Sequence, residues 1–141
     1  MPEFGVRSNT RLLTCHPDIQ KVLRKAIEQG PDFAVICGHR SVEEQQKLFA
    51  QGRSEPGMIV TNVDGVNKTS KHNASPSLAV DIAPWPTMYS STEEFMIVCS
   101  YIMGVAHAMD ISLVWGGDWD SDWDLSEHPF VDLPHFELRK S

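Results

Sequence analysis

The residues best suited to chemistry in this 141-residue chain are six histidines and 19 carboxylates, and their company along the sequence separates them. His72 lies nine residues before Asp81, and His135 lies three after Asp132. A catalytic zinc ion keeps three protein ligands drawn from histidine and carboxylate and leaves its fourth position to water. His72, Asp81 and His135 make one such set, in which the oxygen ligand moderates the Lewis acidity that two neutral imidazoles would leave. Asp132 then stands as a base beside that water. On a regular strand Asp132 and His135 would point to opposite faces, but Pro134 interrupts the ladder just before His135. Spacing alone leaves a metal centre and a scatter of unrelated histidines as equal readings. The remaining histidines have plainer explanations: His16 precedes a helix that it can cap, His107 reads as a hydrogen-bonded interior residue of a core helix, and His39 and His128 sit in turns.

A second acidic pattern lies at Asp118, Asp120, Asp122 and Asp124, alternating as in the first half of an EF-hand loop. Trp123 at the sixth position and Pro129 at the twelfth exclude a full EF-hand. A looser Ca²⁺ site and a solvated acidic turn both stay open.

The elements that must position these residues follow from periodicity and punctuation. Pro17 opens a helix with Ile19, Val22, Leu23 and Ile27 on one face, closed by Gly30-Pro31. Phe33 to Cys37 reads as a strand, and Ser41 with Glu44 as the capping box of a helix running to about Gln51. Arg40 therefore sits at a strand-to-helix junction. Met58 to Val63 before Asp64-Gly65 reads as the first arm of a hairpin whose return arm leads into Ser70. Leu78 to Ala83 alternates, with Val80 and Ile82 on one face and Ala79, Asp81 and Ala83 on the other. Ser90 and Ser91 cap a long core helix reaching about Met109, and Ser112 to Trp115 and His135 to Leu138 complete the strands. This order predicts an α+β fold, a small antiparallel sheet flanked by about three helices, with the candidate zinc site on the sheet face.

Length and composition bound the rest. A 15.8 kDa chain fits one compact domain, residues 1–141. A hydrophobic fraction of 41% supports a real core. Twelve basic against 19 acidic residues, net charge −7, argue against nucleic acid as a partner. Cys15, Cys37 and Cys99 read as reduced thiols among apolar neighbours. The N-terminus lacks the apolar core of a signal peptide, and the stretch Phe95 to Met109 is too short and too polar to span a bilayer, so no membrane insertion is expected.

Four segments together resemble one family. Ser70-Lys71-His72 followed by Ser77-Leu78-Ala79-Val80-Asp81 resembles the SxH…GxAxD signature of the zinc D-alanyl-D-alanine carboxypeptidase family, which includes phage L-alanyl-D-glutamate endopeptidases. Asp132 to Leu138 resembles its [DE]xxH[FW]E segment, Gly38 to Gln45 its G-x-R-[ST]-x-x-x-Q segment, and Trp115 to Trp119 the W-G-G-D-W turn of its phage members. The likeness runs from about His16 to Leu138. It implies zinc bound by His72, Asp81 and His135, Asp132 as general base, Arg40 as the cation facing the oxyanion and Ser70 as a substrate hydrogen-bond donor.

From the residues alone, the preferred reading of Arg40 is an exposed helix-end arginine paired with Glu43 or Glu44, and Glu137 reads equally as a residue that orients His135 or faces solvent. The family's interval between ligand His and ligand Asp is two residues shorter, and its glycine is Ser77 here, so the loop from Asn73 to Ser77 is expected to bulge. The activity implied is hydrolysis of peptidoglycan stem peptides at L-Ala–D-Glu by a monomeric phage endolysin with no wall-binding module. Such a protein is made in the bacterial host cytoplasm without a signal peptide and reaches the cell wall through a holin. The alternatives are a D-Ala-D-Ala carboxypeptidase and a zinc-stabilised binding module without catalysis.

Overall fold

A computed structural model describes residues 2–59, 61, 63–118 and 132–139. The elements in order are α1 (Val6–Leu12), α2 (Pro17–Gln29), β1 (Phe33–Cys37), α3 (Val42–Ala50), β2 (Ala79–Pro84), α4 (Thr92–Ala108), β3 (Leu113–Trp115) and β4 (His135–Leu138), with 3₁₀ turns at Lys71–Asn73 and Met88–Ser90. The four strands form one sheet in the order β1-β2-β4-β3, antiparallel at every pairing. The fold is α+β, as the sequence predicts.

One face of the sheet is apolar and carries α2 and α4. Val80, Ile82 and Phe136 are fully buried there with Val22, Leu23, Cys99 and Ile102 from the two helices. Helices α2, α3 and α4 start where the sequence predicts. The His16 imidazole caps α2 by accepting from the Asp18 N–H at 3.0 Å, and Ser41 and Glu44 form the reciprocal capping box of α3. Ser91 alone caps α4; Ser90 belongs to the preceding 3₁₀ turn, where its hydroxyl donates to the Thr87 carbonyl at 2.7 Å.

Three expectations are corrected. A fourth helix, α1, covers the outer edge of β1: the Ser8 hydroxyl accepts from Val35 N–H at 3.0 Å, and Arg11 donates to Val35 C=O at 3.1 Å. This satisfies polar groups that an edge strand would otherwise present to solvent. Where the sequence predicts a hairpin around Asp64-Gly65, the described residues between α3 and β2 contain no strand; Val60 and Asn62 of its first arm lie outside them. Instead one Asp64 carboxylate oxygen accepts from the N–H groups of Val66, Asn67 and Lys68 at 2.9–3.1 Å, closing a local loop in place of a strand ladder. His107 is exposed on α4 rather than interior, because the buried face of that helix is taken by Val98, Ile102, Met103 and Ala106.

The packing gives a direct contrast on one helix. Ile102→Ala should lower unfolding free energy by about 2–5 kcal/mol, whereas Ile97→Ala, at a site 56% exposed, should stay within about 0.5 kcal/mol of the parent. Denaturant titration of the two variants measures both.

Candidate active site

Register places the first two site residues. Asp81 on β2 is the direct partner of His135 on β4, and Cys37 on β1 faces Asp81 from the other side. Burying Val80 and Ile82 beneath the sheet turns Asp81 upward, and burying Phe136 does the same for His135 and Glu137. His72 arrives from outside the sheet. Ser70 caps the Lys71–Asn73 turn through an acceptor bond from the His72 N–H at 3.1 Å, and Asn73 closes the box by accepting from Ser70 N–H at 2.8 Å. The turn is tied to β1 and its exit by Arg40 N–H donating to His72 C=O at 2.8 Å. After the turn Ala74 is extended, and Ser77 is buried, with its hydroxyl donating to Ala79 C=O at 2.7 Å.

One Asp81 oxygen lies 3.3 Å from His72 Nε2 and 3.3 Å from His135 Nδ1. The three donor atoms fall within 4.8 Å of one another. Donors about 2.0–2.2 Å from a tetrahedral zinc ion stand about 3.3–3.5 Å apart, so the spacing suits that metal. The remaining ring nitrogens are also committed. His72 Nδ1 donates to Gly38 C=O at 2.7 Å, and His135 Nε2 donates to Glu137 at 2.8 Å, which leaves the facing nitrogen of each ring to a metal. Glu137 therefore orients His135, and it is held in turn by Lys71 Nζ at 3.1 Å, which also donates to Leu138 C=O.

Arg40 is turned into the site rather than toward Glu43 or Glu44. Its guanidinium donates to Gln45 Oε1 at 2.9 Å and lies 3.6 Å from Asp81, while Glu44 is occupied with the Ser41 N–H. Asp132 enters from the turn before β4. Its N–H donates to Gly116 C=O at 2.9 Å, and its C=O accepts from His135 N–H at 3.1 Å. A Cβ on Gly116 would stand 2.1 Å from the Asp132 carbonyl oxygen, so only glycine allows this approach. The Trp115 indole fixes the next carbonyl, that of Leu133, at 2.8 Å. Arg40, Ser70, His72, Asp81, Asp132 and His135 all line one cleft of about 710 Å³, continued along α3 by Leu48, Ile59 and Val63. Of the acidic run, Asp118 is buried in the turn after β3; Asp120, Asp122 and Asp124 lie outside the described residues, and the Ca²⁺ expectation has no support.

Burial opposes charge at Asp81, yet the hydrogen bonds and charges of both imidazoles hold its carboxyl well below the usual range. Burial likewise disfavours the His72 imidazolium, but its bonds to Asp81 and Cys37 outweigh that and push it up to about 10. His135 is raised against burial by Asp81 and Glu137. Asp132 is shifted upward, by burial first and by the Asp81 charge second, against the pull of His135, His72 and Arg40. A carboxylate moved toward neutrality beside a metal-binding triad suits proton transfer.

A profile of the family described as phage L-alanyl-D-glutamate peptidase matches residues 2–139. The chain belongs to that family. Among relatives of this family member, the L-alanyl-D-glutamate peptidase of Escherichia phage T5 is 29% identical over 129 residues, covering 89% of this chain and 87% of that one. The peptidoglycan L-alanyl-D-glutamate endopeptidase CwlK of Bacillus subtilis is 31% identical over 121 residues, 80% of this chain and 64% of the relative. The Serratia marcescens L-Ala D-Glu endopeptidase ChiX shares the fold at a TM-score of 0.68 and 23% identity, over 98% of this chain and 91% of that one. So does a mutant of the vancomycin resistance D,D-pentapeptidase VanY in complex with Zn(II), at a TM-score of 0.51 and 16% identity, over 96% and 72%.

Gln45, Gly116 and Lys71, which contact Arg40, Asp132 and Glu137, are residues to which the sequence alone assigned no role at the site. All three stand inside the motifs named above.

Two measurements check the electrostatics. Metal ligation needs the His72 nitrogen free of its proton, so zinc affinity should rise with pH toward about 10, and binding at pH 7 should release at least about one proton per ion. Calorimetry in buffers of different ionisation enthalpy reads that number directly. Glu137→Gln removes the carboxylate that orients His135 and should weaken zinc binding about 10- to 100-fold with the fold intact, as competition against a chelator would report.

Proposed function

We propose that this chain is a zinc-dependent peptidase that hydrolyses the L-Ala–D-Glu amide bond of peptidoglycan stem peptides, with residues 1–141 forming one catalytic domain. The observation that carries this reading is the convergence of three metal donors, all within 4.8 Å of one another, beside Asp132 and Arg40 in an open cleft, in a member of that peptidase family. His72, Asp81 and His135 would hold the ion. When bound, zinc supplies Lewis-acid activation of water and of the scissile carbonyl.

The protein's own groups do the rest. Asp132 takes the proton from the attacking water and returns it to the leaving amine nitrogen, a cycle that its raised affinity for a proton favours. The Arg40 guanidinium, aimed by Gln45 and Asp81, faces the negative charge that develops on the carbonyl oxygen. Ser70, at the cleft wall, offers its hydroxyl to the substrate backbone. No covalent intermediate is required.

The phage relative supports action on the cell wall of a bacterial host, and we extend the reading to a monomer released through a holin. Among the described residues no helix is long and apolar enough to cross a membrane.

Asp132→Ala should lower turnover by about 10²–10⁴ while zinc content and melting temperature stay at parental values. Mass spectrometry of digested muropeptides reads both rate and bond. Release of the stem peptide from L-Ala is expected. Loss of a single D-alanine would assign a D-Ala-D-Ala carboxypeptidase instead, and zinc binding without any cleavage would leave a binding module.

A further inference from the structure

Glutamine is an uncommon residue to bury completely, because each polar atom of its amide then needs a partner. Gln45 is 0% exposed in the first turns of α3. Its Oε1 accepts from Arg40 Nη1 at 2.9 Å, and its Nε2 donates to Val63 C=O at 2.8 Å and to Thr61 Oγ1 at 3.3 Å. Gly65 closes over it, so tightly that a Cβ there would stand 3.1 Å from Gln45 Cβ and Cγ. One planar amide thus joins the arginine in the cleft to the wall of the cleft facing it.

We infer that Gln45 is a positioning residue for the reaction, fixing the Arg40 guanidinium relative to the Thr61–Val63 wall so that the cation and the substrate channel are set as one unit. This rests on the reading of Arg40 given above. The other guanidinium nitrogen, Nη2, lies 3.6 Å from Asp81 Oδ2 and 3.6 Å from Cys37 Sγ. Without the acceptor on Gln45, nothing in this arrangement balances the attraction of Asp81, and the guanidinium collapses onto the carboxylate. Only an amide serves both sides: a carboxylate lacks the donor for Val63, and an aliphatic side chain lacks both functions.

The test uses the zinc-loaded full chain on purified muropeptide. Gln45→Met should lower kcat about 10- to 100-fold, the cost of a cation displaced by about an ångström, with KM and zinc content little changed. In an Arg40→Ala background the same substitution should alter kcat by less than about twofold, since a residue that acts through Arg40 has nothing left to position. A second readout is independent of turnover. The guanidinium NMR signals lost in Arg40→Ala should be resolved and slowly rotating in the parent and averaged in Gln45→Met.

Parental kcat in Gln45→Met alongside a slow Arg40→Ala would overturn the inference, as would an equal loss in both backgrounds, which marks a merely structural glutamine. If Arg40→Ala turns over at the parental rate, the reading of Arg40 fails instead, and unaltered guanidinium signals in Gln45→Met then refute the positioning. Should Gln45→Met not fold, Gln45→Asn, whose shorter amide cannot reach Arg40, is judged by the same outcomes.

Discussion

The pairing of Asp81 with His135 across β2 and β4 is the constraint on which the site rests. Side chains alternate along a strand, so a slip of one residue would turn Asp81 into the core and Val80 or Ile82 out of it. The apolar face prevents this. Val80 pairs with Phe136 directly beneath, both fully buried against α2 and α4, and the same register that hides them presents Asp81, His135 and Glu137 on the opposite face. The hydrophobic core therefore fixes which side chains of β2 and β4 meet on the opposite face.

Such an alignment concentrates charge. Asp81 is a carboxylate beneath two imidazoles and a guanidinium, and each of these favours its ionised form. A buried carboxylate is tolerable only when paired and hydrogen-bonded, and here the bonds to His72 and His135, both shifted toward their charged forms, supply the compensation. A divalent cation held by the three side chains would supply positive charge there in its turn. The outer contacts, Gly38 C=O on His72 and Glu137 on His135, accept from the ring nitrogens that face away from Asp81.

Much of this was legible in the sequence, and the reasons differ by element. Strands β2 and β4 announced themselves because alternation of Val80, Asp81 and Ile82 is a local signal. The caps His16 and Ser41 are local signals too. What escaped was decided by distant partners. Helix α1 has a short apolar side and forms against the edge of β1, through Ser8 and Arg11, so its stability is written in Val35 as much as in its own residues. The Asp64-Gly65 pair signals a turn correctly, but whether strands flank it depends on whether another strand is there to pair, and Thr61 and Val63 are instead engaged by Gln45. For His107, helical periodicity gives a face only to within a residue or so, and Ala106 took the buried place. Arg40 had two local partners in Glu43 and Glu44, and only the tertiary fold set Gln45 and Asp81 against them.

Asp132, the proposed base, illustrates why a base and a metal site call for different kinds of backbone. The proposed ligands Asp81 and His135 gain from a strand, whose ladder fixes their separation. A base three residues from a ligand would be turned away by that same ladder. The chain resolves the conflict by leaving the sheet for one turn. His135 N–H donates to Asp132 C=O, Pro134 has no N–H to give to a strand, and the Leu133 carbonyl is taken by the Trp115 indole. Gly116, without a side chain, lets the Asp132 backbone lie against the end of β3 and exchange a hydrogen bond with it. The position of the carboxylate is then set by β3 and its turn rather than by the register of β4. The two geometries meet at His135, whose N–H donates to Asp132 C=O and whose C=O accepts from Gly116 N–H, so a substitution at Gly116 acts on both Asp132 and His135.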